Sequence, residues 1–336
     1  MSPSDRFLNP AEAARRLGVS AKALRLYEQR GLIRPARSAA GWRAYGPAEM
    51  ARAVEVVALR GLGLSLAQVA RVLGGDPAGL EPALAAHQRV VEARIGVLAE
   101  SVGRLGALRA ELAQGRVPSA GKVAALLAPQ APPIRFDLPW PWGGEAFEWP
   151  AARPLTWIIG PLGSGKTRLA MRLAEAVPGA VFLGLDRRVA EADPARIAAA
   201  LAWLVEEGAS DSPALRALLA ALEAPATLVV DMVEQGLDEA TQMALAAHLR
   251  RTARAERPLF LMTRSSAMLD LEAVGPGEAL LLCPANHSPP REVLAFPGTP
   301  GHESVATCLA PPEVRARTEG VVARRPEAAH TNGPIA

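Results

Sequence analysis

Apolar and polar positions repeat with a helical period over the first 114 residues, and Gly, Pro and Ser stops cut that period into short elements. Asn9-Pro10 opens a segment that runs to Leu17 and stops at Gly18. Ser20 opens a second, from about Ala21 to Arg30, stopped by Gly31. Two short helices joined by Gly18-Val19-Ser20 predict a helix-turn-helix. The stretch Arg37 to Tyr45 turns at Ala39 to Gly41 and predicts a two-stranded wing, with Trp42 in its core. Pro47 opens a third helix ending near Gly61, and Ser65 a fourth ending at Gly74. Pro82 to Gln114 then predicts one long helix. Along it Leu84, Val91, Ile95, Leu98, Val102, Leu105 and Leu112 recur at spacings of three, four or seven, a seam suited to a second helix.

Residues 115–152 are rich in proline, carry no period, and read as a linker. From Leu155 the pattern changes. Apolar runs at 155–160, 180–185, 226–231, 258–263 and 279–284 alternate with Ala-rich helical stretches, which predicts a parallel sheet with helices on its faces. Residues 311–336 are polar and read as a loose tail. The expected fold is multidomain: an all-α winged helix-turn-helix over 1–75, a long dimerisation helix over 76–114, a linker over 115–152, and an α/β domain with a mainly parallel sheet over 153–310.

Composition narrows the setting. Half of the 336 residues are hydrophobic, enough for sizeable cores, and two cysteines cannot build a disulfide scaffold. No apolar run approaches the roughly eighteen residues of a membrane helix, and the start of the chain lacks an apolar leader. A soluble, cytoplasmic protein without a membrane partner is expected. The net charge of +3 hides an asymmetry: residues 1–75 carry a net charge of +7 and the remainder −4. A basic front domain on an acidic body implies a polyanion for the front alone. Of 37 basic residues only Lys22, Lys122 and Lys166 are lysine, so a lysine at a special position carries information.

Lys166 stands at such a position. Gly160-Pro161-Leu162-Gly163-Ser164-Gly165-Lys166-Thr167 is a Walker A pattern, preceded by an apolar strand and followed by a helical stretch beginning with Arg168. In that pattern backbone N–H groups turn around a β-phosphate, the lysine reaches the β- and γ-phosphates, and the threonine hydroxyl takes a place on Mg²⁺. These nine residues, 160 to 168, are the expected nucleotide site. Asp231 ends the apolar run Ala226-Thr-Leu-Val-Val and joins Thr167 as an expected Mg²⁺ ligand. ATP with Mg²⁺ is the expected cofactor, since no guanine-reading Asn-Lys-x-Asp is present.

This region, roughly 153–285, resembles the ATP-binding-cassette ATPases. Gly236-Leu237-Asp238 follows Asp231 at the distance of their loop, and Leu259-Phe-Leu-Met-Thr263 resembles their next core strand. It departs from them at the chemistry. Met232 stands where the family has its catalytic Glu, Arg264 where it has its switch His, and Gly208-Ala-Ser-Asp-Ser where it has its signature. A methionine cannot polarise water, so binding with slow or absent hydrolysis is expected. Glu234 and Asp238 are the candidate substitute acids; the favoured reading makes both solvated loop residues.

The front resembles the MerR family of bacterial transcription regulators. The residues that carry this are Ala11-Glu-Ala-Ala-Arg-Arg-Leu-Gly-Val-Ser20, Leu24-Arg25-Leu26-Tyr27-Glu28 through Gly31-Leu32-Ile33, Arg37, Gly41-Trp42-Arg43-Ala44-Tyr45 and Leu62-Gly63-Leu64-Ser65-Leu66. The resemblance implies that the helix opened by Ser20 enters the major groove of promoter DNA, presenting Lys22 and Arg25, while Arg37 and Arg43 of the wing meet the backbone. Tyr27 and Tyr45 either give hydroxyls to phosphate or pack the wing onto the helix. It also implies a homodimer through the long helix, acting indirectly on RNA polymerase at the promoter. The metal sensors of that family place cysteines near the start of the long helix, and residues 76–90 have none.

Two constellations stay open. Cys283, His287, His302 and Cys308 could gather as zinc ligands, though a thiol ending an apolar strand is ordinarily just buried. Trp140, Trp142 and Trp149 either stack on an adenine or cover the sheet. The leading expectation is a regulator with a nucleotide-binding domain; the alternative is a DNA-tethered ATPase whose turnover is its output.

Overall fold

The computed structural model describes residues 7–37, 41–118, 133–149, 153–187, 193–224, 226–315 and 317. The front is helical. Helix α1 (Pro10–Leu17) is opened by a capping box in which Asn9 accepts from the Glu12 amide and Glu12 accepts from that of Asn9, and it ends at Gly18. Helix α2 (Ala21–Gln29) is capped by Ser20. Strands β1 (Ala36–Arg37) and β2 (Arg43–Ala44) pair antiparallel as the wing. Helices α3 (Pro47–Gly61) and α4 (Leu66–Leu73) follow, and α5 (Leu80–Ala113) runs for 34 residues. Leu24, Tyr27, Ile33, Tyr45, Val56, Leu64 and Val69 close one core between α1, α2, the wing, α3 and α4.

The C-terminal region is a mixed, mostly parallel sheet. Its strands are β5 (Leu155–Ile159), β6 (Val181–Leu183), β7 (Leu228–Val230), β8 (Leu259–Met262), β9 (Glu278–Leu282) and β10 (Arg291–Val293). In space they run β10-β9-β5-β8-β7-β6, with only β10 antiparallel. Strands β5, β7 and β8 are buried without alternation because helices cover both faces. Helix α6 (Lys166–Ala176) lies on one face; α7 (Pro194–Glu207), α8 (Pro213–Glu223) and α9 (Glu239–Thr252) lie on the other. Two short helices, α10 (His302–Ala306) and α11 (Pro312–Arg315), close the described chain.

Three expectations need correction. Part of the expected linker is structured: β3 (Ile134–Asp137) and β4 (Ala146–Trp149) form an antiparallel hairpin that packs Phe136, Phe147 and Trp149 into the core beside α6. Four-residue alternations between prolines are too short to register as a period. The expected tail begins with α11, whose Arg315 is ion-paired to Glu234 at 2.9 Å. Trp42 is 73% exposed, on the surface of the wing rather than in its core. The linker residues 119–132 and 150–152, and 318–336 of the tail, lie outside the described residues. Among the described residues no helix is long and apolar enough to cross a membrane.

Candidate functional site

On the front domain, α2 carries the expected DNA-reading residues. Ser20 accepts the Ala23 amide at 3.1 Å and is buried, so its hydroxyl is used as a cap. Arg25 is exposed. Lys22 is turned instead towards the C-terminal domain, its Nζ donating to the Ser266 carbonyl at 3.1 Å. Burial holds its pKa below the usual lysine value, against the pull of Asp270 and Glu239. In the wing, Arg37 donates to the Gly41 carbonyl and Arg43 pairs with Glu28 at 2.7 Å.

Both tyrosines are buried, and packing is the role the structure gives them. Tyr45 is fully enclosed and donates to Glu28. Tyr27 lies in the same core, hydrogen-bonded to Arg60, with burial raising its pKa. A phosphate cannot reach either hydroxyl without opening that core. Glu28 is thus the hub that ties α2 to the wing, which sequence reasoning missed; burial raises its carboxyl above the usual range despite the nearby Arg43, Arg25 and Arg37.

In the C-terminal domain the glycine loop links β5 to α6. Gly165 has φ +92°, and a Cβ there would come within 2.7 Å of the Trp142 ring, so only glycine fits. Trp142 and Trp149 are buried beside α6, whereas Trp140 is half exposed. Helix α6 has no side-chain cap, unlike α7, α8 and α9, which are capped by Asp193, Ser212 and Asp238. The first-turn amides of Lys166, Thr167 and Arg168 therefore have no acceptor from the helix itself or from a cap. Lys166 is buried and donates to the Gly160 and Pro161 carbonyls at 2.8 and 2.7 Å. Burial lowers its pKa, chiefly, with Asp231 among the groups pulling upward. The Thr167 hydroxyl donates to Asp231 Oδ2 at 3.1 Å. Burial raises Asp231, opposed by that hydrogen bond and by Lys166.

Asp231 belongs to a charged cluster that local motifs did not reveal. Arg187 Nη2 donates to the Met232 carbonyl at 2.7 Å and the Val233 carbonyl at 3.3 Å, while its Nε and Nη1 are buried and, among the described residues, without a partner. Met232 itself sits at φ +46°, in the left-handed region. Arg187 lies just beyond the carboxyl end of β6, where open α/β sheets place ligands; position, rather than motif, is the signal that could have found it.

Of the two candidate acids, Asp238 is exposed as expected, whereas Glu234 is not a solvated loop residue. Glu234 is buried, paired with Arg315 and accepting the Arg264 amide at 2.9 Å. Asp238 caps α9 by accepting the Thr241 amide at 2.7 Å. Arg264 lines a cleft beside the glycine loop together with Pro161, Leu162, Arg291 and Cys308. The polar residues around Thr167 fit a magnesium-bound polyphosphate: uncapped amides, a buried lysine, a hydroxyl–carboxylate pair and an arginine with unused donors.

The zinc reading finds no support. Cys283 is buried with its thiol pushed up to about 12 by desolvation, and among the described residues no three His, Cys, Asp or Glu side chains gather to hold a metal.

Residues 8–75 match the family described as MerR HTH family regulatory protein, and this region is a MerR-type helix-turn-helix domain. A probable heavy metal-dependent transcriptional regulator of Haemophilus influenzae is 43% identical over 67 residues, which are 20% of this chain and 52% of that protein. The chain thus spans about half the length of that curated relative. The crystal structure of HiNmlR, a MerR family regulator lacking the sensor domain, bound to promoter DNA, aligns at 25% identity over 38% of this chain and 99% of that one, with a TM-score of 0.25.

Proposed function

We propose that the chain is a DNA-binding transcription regulator of the MerR type whose C-terminal domain takes ATP with Mg²⁺ as a regulatory ligand. The observation that carries the nucleotide part is the Thr167–Asp231 hydrogen bond at the uncapped start of α6. Residues 160 to 168 would wrap the phosphates, with Lys166 leaving the loop carbonyls to meet them. Thr167 and Asp231 would hold the metal, which screens phosphate charge. Arg187, with two donors unused, would meet an outer oxygen. Trp140, half exposed, is the ring that would meet a base. Met232 stands in place of an acid, Glu234 is paired to Arg315 through Oε1 and Asp238 caps α9, which favours ligand binding rather than turnover as the output.

On the front, Arg25, Arg37 and Arg43 would meet promoter DNA, and the apolar seam of α5 would pair two copies. Leu84, Ile95, Val102, Leu105 and Leu112 are all exposed along that helix. The dimer would act on transcription through the path of the promoter past RNA polymerase.

Calorimetric titration of Mg·ATP and Mg·ADP into the full chain tests the ligand. Micromolar binding that Lys166→Ala removes is expected. Absence of binding by the natural chain overturns the nucleotide part and leaves the DNA-binding part standing.

A further inference from the structure

The DNA-reading helix is not free. Its first amide, that of Ala21, donates to Glu272 Oε2 at 3.0 Å. The next residue, Lys22, donates to the Ser266 carbonyl at 3.1 Å. Just beyond its last turn, Arg30 donates to the Glu207 carbonyl at 3.0 Å. Both ends of α2 are thus held by the C-terminal domain. The turn between α3 and α4 is held too: Ser65 donates to Glu206 at 2.8 Å, Arg71 pairs with Glu206 at 3.2 Å, and the Leu66 amide donates to Glu207 at 2.8 Å. Arg60 also pairs with Glu207.

Glu207 decides how this contact is read. Its side chain is 2% exposed, and its carboxylate partners, Arg60 and Leu66, both belong to the front domain. A buried carboxylate is tolerated only when paired, so this one is built for the docked arrangement. Gly208, next to it, has φ +104°, and a Cβ there would overlap the Arg30 guanidinium. The groups held, a helix-start amide, a lysine and arginines, are those that meet phosphates in DNA complexes. The C-terminal face offers them carboxylates and carbonyls instead, an acidic body against a basic front.

We infer that the C-terminal domain is an intramolecular competitor of DNA: its acidic face, Glu206, Glu207, Asp270 and Glu272 with the Ser266 carbonyl, clamps α2 in a closed state that cannot enter a major groove. Opening the clamp and binding DNA are then one equilibrium, and DNA affinity is lowered by the fraction of chain that is closed. The gripping loop starts at Arg264, which lines the cleft beside the glycine loop and lies two residues before Ser266. A ligand in that cleft therefore bears directly on the clamp; this coupling, unlike the clamp, rests on the nucleotide reading.

The test uses the full chain and a labelled duplex enriched from a random-sequence pool. Glu272→Ala with Glu207→Gln, and separately Gly208→Ala, should each bind that duplex at least tenfold more tightly than the natural chain while keeping its circular dichroism. Equal or weaker binding by either folded variant overturns the clamp. Hydrogen exchange on the natural chain gives a second reading that needs no variant. Segment 263–273 should lose protection when DNA is added; protection that persists under saturating DNA overturns the clamp. Mg·ATP is added as a separate arm. A change in DNA affinity that Lys166→Ala abolishes supports the coupling. Release by the variants with no response to Mg·ATP keeps the clamp and overturns the coupling alone.

Discussion

Thr167 and Asp231, 64 residues apart in the chain, meet in a 3.1 Å hydrogen bond between the first turn of α6 and the end of β7. In the nucleotide reading proposed above, a magnesium ion would take the place of this bond between hydroxyl and carboxylate. Asp231→Ala should weaken Mg·ATP binding about tenfold, roughly 1.4 kcal/mol, and leave metal-free ATP binding unchanged. Titrations with Mg²⁺ and with chelator check this. Equal losses in both would mean that Asp231 supports the loop and not the metal.

Glu234 is predicted to serve stability rather than turnover. Its carboxylate is buried against Arg315, and removal of one partner from such a pair costs about 3 kcal/mol. Glu234→Gln should lower the melting temperature by several degrees and leave phosphate release at its basal level. Arg315→Ala should do the same, and the two losses should not add. Calorimetry on the single and double variants measures it.

Stability should also depend on pH through His248. Burial lowers its pKa to about 4, with Arg251 adding repulsion. The unfolded chain takes up this proton near 6.5, the folded chain only near 4, so in between the unfolded state binds more protons. This contribution is fully present above 6.5 and is lost as pH falls towards 4, by about 3 kcal/mol. His248→Gln should flatten that part of the profile, read by denaturant midpoints from pH 7 to 4. An unchanged slope would place the titrating group elsewhere.

The apolar seam of α5 is predicted to hold two chains together. Val102→Glu puts a charge on a surface residue that would be buried only in a pair. Light scattering should find the natural chain as a dimer and the variant as a monomer of unchanged helicity. A natural chain that is already monomeric at micromolar concentration would refute the pairing.

Arg25 is exposed on α2. If it meets a phosphate, Arg25→Ala should weaken binding to all duplexes alike and reduce the salt slope by about 1; if it reads a base, discrimination at one position should fall instead. Anisotropy titrations at several salt concentrations separate these outcomes.

The helices of the front, the core strands of the sheet and the glycine loop were legible in the sequence because their signals are local. An Asn9 or Ser20 cap, a glycine stop, an apolar run or a Gly-x-Gly-Lys-Thr ending acts over a few residues of backbone, and the structure places the corresponding elements within one to three residues of where those signals fall. Tertiary structure alone decided how side chains are used. Tyr45 faces Glu28 instead of solvent, and Glu234 is spent on Arg315. Arg187 reaches Met232 across 45 residues, and Lys22 reaches Ser266 across 244. Such pairings leave no period in the chain. They arise because a buried charge must find a partner, and only the packing of distant elements determines which partner is there.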